Sequence, residues 1–179
     1  RIDRVLLDGT RVKGLMLPDG QTREFDAVIS TMPLTDLVQG LGPVPDRLEK
    51  PLQSLRYRNT ILAYLHIDCD HLFPDQWIYV HSSDVLTGRI SNFRNWVPEL
   101  YGSSKNTILA LEYWCNDDDP AWRQSDQELI RIASQEISRT GLLQTGTVLD
   151  GKVVRLHRCY PIYSQGYKAH LDPVTEYLR

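Results

Sequence analysis

Four strand-like segments between residues 59 and 115 constrain the fold of this chain more than any other feature. Each is rich in apolar, β-branched and aromatic residues, and short polar or proline-containing stretches separate them. They are Asn59–Asp68, Trp77–His81, Gly88–Trp96 and Thr107–Cys115. An antiparallel or mixed sheet is the simplest structure that these segments can form.

A helix is predicted after the last of these segments. Ser125 and Glu128 have the spacing of a capping box, in which each side chain bonds a backbone N–H of the first turn. Thr140-Gly141 provides a helix stop. Apolar residues recur on one helical face, at Leu129, Ala133 and Ile137. The sequence therefore predicts an α+β fold, with a sheet flanked by helices.

Residues 1–34 predict a small β-meander. Asp8-Gly9 and Asp19-Gly20 are turn dipeptides between strand-like segments. Phe25–Ser30 is a nearly continuous apolar run, typical of a strand buried on both faces, and it stops at Thr31-Met32-Pro33. A short helix capped by Thr35 should follow.

The other segments add helices and one more strand. Asp46–Leu55 predicts a second helix that Pro51 interrupts or delays. Asp150-Gly151 predicts a turn into a strand over Lys152–Cys159. A final helix is expected around Pro173–Leu178.

Composition narrows the choice of partner and location. The 179 residues are 41% apolar, which is enough for a core, and the interspersed charges sum to −3. No basic face indicates nucleic acid, so a small-molecule substrate is the expected partner. The three cysteines form no CxxC pair, which argues against disulfides and zinc and favours the cytoplasm. We expect no membrane span, and we expect the chain to begin inside a longer protein, since its first residues resemble neither an initiator nor a signal peptide.

The segment Gly88–Trp96 is unusual for a strand. If it is extended, Asn92, Arg94 and Trp96 share one face. Such a face suits an anionic or sugar-like ligand, because arginine forks onto oxyanions and tryptophan stacks on rings. An exposed strand whose arginine stems cover a tryptophan would explain the same pattern.

Aromatic residues on neighbouring strands add to this candidate site. Trp77, Tyr79 and His81 alternate along one predicted strand. The predicted substrate-binding residues are Trp77, Tyr79, Arg89, Asn92, Arg94, Trp96 and Tyr113. The aromatic stretch from Cys159 to Tyr167 either lines a site or packs between domains. We predict no catalytic acid or base.

Metal and nucleotide motifs give no further site. The acidic run before Pro120 lacks the ligand spacing and turn glycine of a calcium loop, and a helix N-terminus accounts for it. The five histidines have no metal-ligand spacing, so no metal is predicted. None of the eleven glycines forms GxGxxG, so the chain has no dinucleotide cradle of its own.

Three stretches of sequence carry a family resemblance. The meander and its return strand read Ile2-Asp3-Arg4-Val5, Asp8-Gly9, Val12-Lys13-Gly14-Leu15, Asp19-Gly20 and Asp26-Ala27-Val28-Ile29-Ser30-Thr31-Met32-Pro33. The other two stretches are Leu55 through Trp114 and Arg158–Tyr167. Together they resemble the FAD-dependent amine oxidase superfamily, in particular its protoporphyrinogen-oxidase-like and UDP-galactopyranose-mutase-like members, over essentially the whole chain.

The resemblance implies FAD as the cofactor of the parent protein. It places Ile2 against the adenine, and Thr31, Met32 and Pro33 near the flavin. It also implies that residues 1–34 are the tail of the FAD-binding domain, 35–151 the substrate-binding domain and 152–179 a segment returning to the FAD-binding domain. Because the GxGxxG cradle falls outside the sequence, the chain alone should be inactive.

Three functions are compatible with this resemblance and with the residues. In the first, the chain is the substrate domain of an FAD-dependent oxidoreductase and orients the substrate against the flavin. In the second, the parent is a flavin-dependent UDP-sugar mutase in which Arg89 or Arg94 holds a diphosphate. In the third, the chain is a non-catalytic glycan-binding or assembly module. An exposed domain interface should also make the chain self-associate.

Overall fold

The computed structural model describes residues 2–179, which divide into two compact units. One unit holds the residues up to Tyr57 and from Pro161 onward, and the other holds Arg58–Tyr160. In chain order the strands are β1 (Arg4–Asp8), β2 (Arg11–Met16), β3 (Thr22–Glu24), β4 (Tyr57–Ile67), β5 (Trp77–Tyr79), β6 (Arg89–Asn92), β7 (Thr107–Cys115) and β8 (Val148–Pro161). The helices are α1 (Leu34–Leu41), α2 (Asp46–Ser54), α3 (Phe93–Trp96), α4 (Pro120–Arg123), α5 (Asp126–Arg139) and α6 (Lys168–Tyr177).

The first unit contains the predicted β-meander. Strands β1, β2 and β3 pair antiparallel in that order, with Arg4 opposite Met16. Gly9 and Gly20 in the two turns have φ of 62° and 82°, a conformation that glycine adopts without a steric penalty. The meander prediction is therefore confirmed.

Helices α1, α2 and α6 supply the apolar core of the same unit. Its buried side chains are Val38, Leu48, Leu52 and Val174. The predicted helix at Asp46–Leu55 is confirmed as Asp46–Ser54, but the expectation that Pro51 interrupts or delays it is wrong, since the helix runs continuously through Pro51. Helix α6 begins at Lys168, five residues earlier than Pro173. The first turn forms before the proline because His170 and Leu171 donate to the carbonyl of Tyr167, and the helix continues through Pro173 although that residue has no N–H to donate.

Two predictions in this unit are wrong. Phe25–Ser30 is not a strand: Phe25 still donates its N–H to the carbonyl of Lys13 on β2, but residues 26–30 are not paired as a strand among the described residues, and Ile29 is 94% exposed. Thr35 does not cap α1. It lies inside the helix, where it is buried, and the N-cap position is held by Pro33 without a side-chain hydrogen bond.

The second unit is built on a five-stranded sheet with the order β5-β6-β7-β4-β8. Strand β7 pairs antiparallel with both β4 and β6, and β6 pairs antiparallel with β5. Helix α5 packs on one face through Leu129, Ala133 and Ile137, and Ser125 accepts a hydrogen bond from the backbone N–H of Glu128. The predicted antiparallel sheet, the N-cap at Ser125 and the α+β fold are confirmed. The second half of the capping box is not seen, because the Glu128 carboxylate pairs with Arg131 instead.

Two strand boundaries in this unit differ from the prediction. The segment Gly88–Trp96 is a strand only from Arg89 to Asn92, because the Asn92 side chain accepts the backbone N–H of Arg94 and begins the short helix α3. Asp150-Gly151 is not a turn but part of the long strand β8. A Cβ atom at Gly151 would collide with the Ile130 side chain and lie tightly against the carbonyl oxygen of Tyr64, so glycine fits this close approach.

The compact units divide at Tyr57/Arg58 and at Tyr160/Pro161. The functional boundaries expected after residues 34 and 151 stay a prediction. No helix among residues 2–179 is both long and apolar enough to cross a lipid bilayer. The three cysteines Cys69, Cys115 and Cys159 are free thiols.

Candidate functional site

The two faces of the five-stranded sheet differ in chemistry, and the alternation along β7 creates the difference. Leu109, Leu111 and Tyr113 are buried in the core that includes α5. Glu112 and Trp114 project from the opposite face. The register places Glu112 beside Arg89 on β6, and Arg89 beside Tyr79 on β5.

Tyr79 is the centre of an aromatic cluster on that opposite face. Its ring lies 5.0 Å from the ring of Trp77, edge to face, and 6.3 Å from that of Trp114. The ring of His81 is 6.5 Å away, and the Arg89 guanidinium carbon lies 5.8 Å from the Tyr79 ring centre. Trp77 is 44% and Tyr79 47% exposed, so the rings are available for stacking.

An ion pair crosses the strands beside these rings. Arg89 Nε donates to Glu112 Oε1 at 2.7 Å and Nη2 donates to Oε2 at 2.8 Å, which is a bidentate arrangement. Arg89 Nη2 also donates to the Tyr160 hydroxyl at 3.3 Å. The hydrogen bonds to Glu112 raise the pKa of Arg89 above its usual range. We call the surface formed by Trp77, Tyr79, Arg89, Glu112, Trp114 and Tyr160 the aromatic face.

Backbone contacts hold the edge of the aromatic face in place. The buried carboxylate of Glu136 on α5 accepts the backbone N–H of Leu86 at 2.7 Å and that of Thr87 at 3.0 Å. These residues lead directly into β6. At Gly88, a Cβ atom would overlap the six-membered ring of Trp114, so only glycine leaves room for this indole.

Three of the seven predicted substrate-binding residues come together on the aromatic face: Trp77, Tyr79 and Arg89. The other four do not join them. Asn92 is buried and bonds the carbonyl of Phe73. Arg94 donates to the carbonyls of Ser104 and Asn106 and lies over the Tyr101 ring. Trp96 is exposed on α3, where the strand has already ended.

Tyr113 lies on the helix side of the sheet and is 3% exposed. Burial raises the pKa of its hydroxyl above the usual range, and the nearby Glu136 carboxylate raises it further. Tyr113 Oη has no hydrogen-bond partner among the described residues. We therefore attribute the effect of Glu136 to its charge.

Sequence reasoning missed three members of the aromatic face. Glu112 and Trp114 lie two residues apart in an otherwise apolar strand, and this spacing was the available indication that they share a face. Tyr160 belongs to the aromatic stretch that was already expected either to line a site or to pack between domains. Its contact with Arg89 depends on the strand order, which the sequence does not reveal.

Side chains from β4 and β8 contact the acidic segment before α4. Asp117 Oδ1 accepts the Asn59 side-chain amide at 2.8 Å and lies 3.1 Å from His157 Nε2. The hydrogen bond from Asn59, with the histidine, lowers the pKa of Asp117. Within residues 2–179, no three His, Cys, Asp or Glu side chains are placed as metal ligands would be.

The predicted cofactor-binding residues belong to the first unit. Ile2 is half-buried just before β1, and Thr31, Met32 and Pro33 lead into α1, which packs against β1. Ser30 Oγ, next to Thr31, is buried and has no hydrogen-bond partner in the described part of the chain. A bound group with polar atoms would satisfy this hydroxyl, so the segment fits contact with a polar cofactor.

The sequence belongs to a known family of redox proteins. The profile of the flavin containing amine oxidoreductases matches residues 1–170, and the chain is a member of that family. The predicted superfamily is confirmed, and FAD is supported as the cofactor of the parent protein. A search of curated proteins finds no match.

Solved structures share the fold. The chain is similar to a reduced UDP-galactopyranose mutase, with a TM-score of 0.68 and 16% identity over 99% of this chain and 38% of that one. It is also similar to a protein of Exiguobacterium sp. 255-15 that is named as a protoporphyrinogen oxidase, with a TM-score of 0.64 and 19% identity over 98% of this chain and 38% of that one. An oxidoreductase from Methanosarcina mazei has a TM-score of 0.61 to this chain and 13% identity, over 90% of this chain and 37% of that one. The chain thus spans less than two fifths of the length of these proteins.

Proposed function

We propose that this chain is the substrate-side part of an FAD-dependent oxidoreductase and that its aromatic face holds a small-molecule substrate. The carrying observation is the cluster around Tyr79, where three large rings and one ion pair meet on an exposed surface of the sheet. Exposed apolar patches rimmed by polar residues mark interaction sites, including ligand-binding grooves. The membership of the flavin family supplies the reaction class.

In this proposal the first unit contacts the cofactor and the second unit orients the substrate. FAD, when bound, supplies the redox chemistry. Ile2, Thr31, Met32 and Pro33 would contact it, and Ser30 Oγ offers a further hydrogen bond. Trp77, Tyr79 and Trp114 would orient the substrate by stacking, while the Arg89–Glu112 pair and the Tyr160 hydroxyl fix its rotation through hydrogen bonds.

The domain assignment stays part of the proposal. We assign residues 1–34 and 152–179 to the FAD-binding side and 35–151 to the substrate side. Exposed apolar side chains of the first unit, Phe25 and Ile29, support the expectation that the isolated chain self-associates.

A titration with FAD tests the assignment. We expect the full-length parent protein to bind FAD stoichiometrically, followed by flavin fluorescence and absorbance, and this chain alone to bind none. Sizing chromatography of the same samples should show the chain as a species larger than a monomer. Failure of both proteins to bind FAD would remove the flavin assignment and favour a non-catalytic binding module.

A substitution tests the aromatic face in the FAD-loaded parent. Primary amines and UDP-sugars are screened by flavin reduction or product formation, and the best ligand is titrated into Tyr79→Ala. Loss of the central ring should weaken binding about tenfold or more, since an aromatic pair and its buried area are lost. Trp96→Ala is the matched control, because Trp96 is exposed but lies outside the aromatic face. Equal losses in both variants would contradict the proposed site.

A flavin-dependent UDP-sugar mutase is the second candidate. One observation favours it: the Arg89 guanidinium lies 5.8 Å from the exposed ring of Tyr79, and arginine binds phosphates while aromatic rings stack on sugars. In that case UDP-sugars, and not amines, would compete for the aromatic face in the same screen.

A further inference from the structure

We propose that Glu112 determines specificity on the aromatic face: by holding Arg89 it makes the face select an uncharged, hydroxyl- or carbonyl-bearing ring over a phosphate-bearing ligand. This inference rests on the proposed function and names the substrate class of the same site. It concerns the part of the substrate that lies over Trp77, Tyr79 and Trp114.

The fork of Arg89 is already occupied. A phosphate is recognised best when two parallel N–H groups of one guanidinium point at it. Here Nε and Nη2 both point at Glu112, at 2.7 and 2.8 Å, and Nη2 also reaches Tyr160. An incoming phosphate would have to displace a carboxylate that is already in bidentate geometry.

Glu112 cannot readily give up this pairing. Its side chain is 7% exposed, against 26% for Arg89, so water can hardly replace the guanidinium. A carboxylate left without a partner in such surroundings carries a large desolvation penalty. The strand that carries Glu112 pairs on both sides, with β4 and with β6, and this restrains its backbone.

The groups that remain available are neutral rings and a few hydrogen-bond donors. Trp77, Tyr79 and Tyr160 are exposed, and Arg89 Nη1 has no bond to the described residues. Aromatic rings stack on flat or ring-shaped ligands, and the hydrogen-bond donors suit hydroxyl or carbonyl oxygens. Sugars and phenols share this chemistry, and the two sources can be separated by experiment.

The test uses the full-length, FAD-loaded protein and four probes. A methyl pyranoside and a simple phenol are the neutral rings, and inorganic pyrophosphate and UDP are the anions. Binding is measured by calorimetry and by ligand-observed NMR at constant ionic strength. In the wild-type protein we expect at least one neutral ring to bind, with that binding weakened by Tyr79→Ala, and no anion binding that depends on Arg89.

The Glu112→Gln variant should reverse the preference. It keeps the size of the side chain but leaves the guanidinium charge uncompensated, so pyrophosphate affinity should rise about tenfold. Glu128→Gln is the matched control, because Glu128 forms the same bidentate pair with Arg131 on the exposed side of α5. It changes the net charge equally and should leave pyrophosphate binding unchanged.

Three results would overturn the inference. They are wild-type pyrophosphate or UDP binding that is tighter than that of either neutral ring and disappears in Arg89→Gln; no binding of either neutral ring; and equal affinity gains in Glu112→Gln and Glu128→Gln. If Glu112→Gln does not fold, the wild-type comparison of the four probes decides alone. Failure of the proposed function is distinguishable, because Tyr79→Ala would then alter the binding of no ligand, charged or neutral.

Discussion

The same strands form both faces of the five-stranded sheet, but one face packs into the core and the other forms the candidate binding surface. On the helix side, Leu109 and Leu111 have no exposed surface and pack in the core with α5. On the aromatic face, their neighbours Glu112 and Trp114 lie beside exposed rings. One strand therefore carries both the core of the unit and its candidate binding surface.

This contrast separates stability from recognition. Burial of apolar area stabilises the fold roughly in proportion to the area removed from water. Exposed rings contribute less to folding but retain surface that a ligand can cover. Substitutions on the helix side should therefore change the free energy of unfolding, and substitutions on the aromatic face should change mainly binding.

The largest expected effect is on the helix side. Leu111→Ala should lower the free energy of unfolding by about 2–5 kcal/mol, because it opens a cavity at a fully buried position. Leu62→Ala is the matched control, since Leu62 lies on the other face, opposite Glu112, and is only partly buried. Urea denaturation of both variants measures the difference. Equal losses would mean that the two faces do not differ in packing as the burial indicates.

A smaller effect is expected at the edge of the aromatic face. Gly88→Ala forces the indole of Trp114 to move, which should cost about 1–3 kcal/mol of stability and weaken ligand binding. Gly40→Ala is the control, because Gly40 has open space around it inside α1 and should gain about 0.5–1 kcal/mol from alanine. Denaturation together with a ligand titration checks both. If the free energy of unfolding and the ligand affinity of Gly88→Ala equal those of the wild-type protein, the indole ring of Trp114 moves without an energetic cost.

Much of this fold could be predicted from the sequence because local patterns specify it. The Ser125 side chain caps the first turn and marks where α5 begins, and the apolar run Thr107–Cys115 coincides with β7. The prediction of a strand over Phe25–Ser30 was wrong because a strand needs a neighbouring strand to pair with, and an apolar run does not show whether such a partner lies beside it. The prediction of a strand over Gly88–Trp96 was wrong beyond Asn92, where the hydrogen bond from the Arg94 N–H to the Asn92 side chain begins a helix and ends the strand.

The candidate site was only partly predictable for a related reason. Trp77, Tyr79 and Arg89 were identified from residue type, and all three lie on the aromatic face. Tyr113 was chosen for its ring, but its position in β7 has the parity of Leu109 and Leu111, which places it among the buried residues. Residue type indicates what a side chain can do, whereas strand register decides which surface it reaches.

The smallest expected effect at neutral pH belongs to Tyr113. Since Tyr113 Oη is buried without a hydrogen-bond partner among the described residues, Tyr113→Phe should leave stability near pH 7 unchanged or raise it by up to about 1 kcal/mol, with ligand binding unaffected. The raised pKa of Tyr113 means that the folded protein holds this proton more tightly than the unfolded chain. The resulting stabilisation is fully present below the unfolded-state pKa of about 10 and is lost as the pH rises through and above that value.

Urea denaturation at about pH 7 and about pH 11 should therefore show a larger loss of unfolding free energy for the wild-type chain than for Tyr113→Phe, because the other tyrosines are common to both. A loss above about 1 kcal/mol at neutral pH would instead indicate a hydrogen bond from Tyr113 to Glu136 and make this pair part of the support for the strand edge at Thr87.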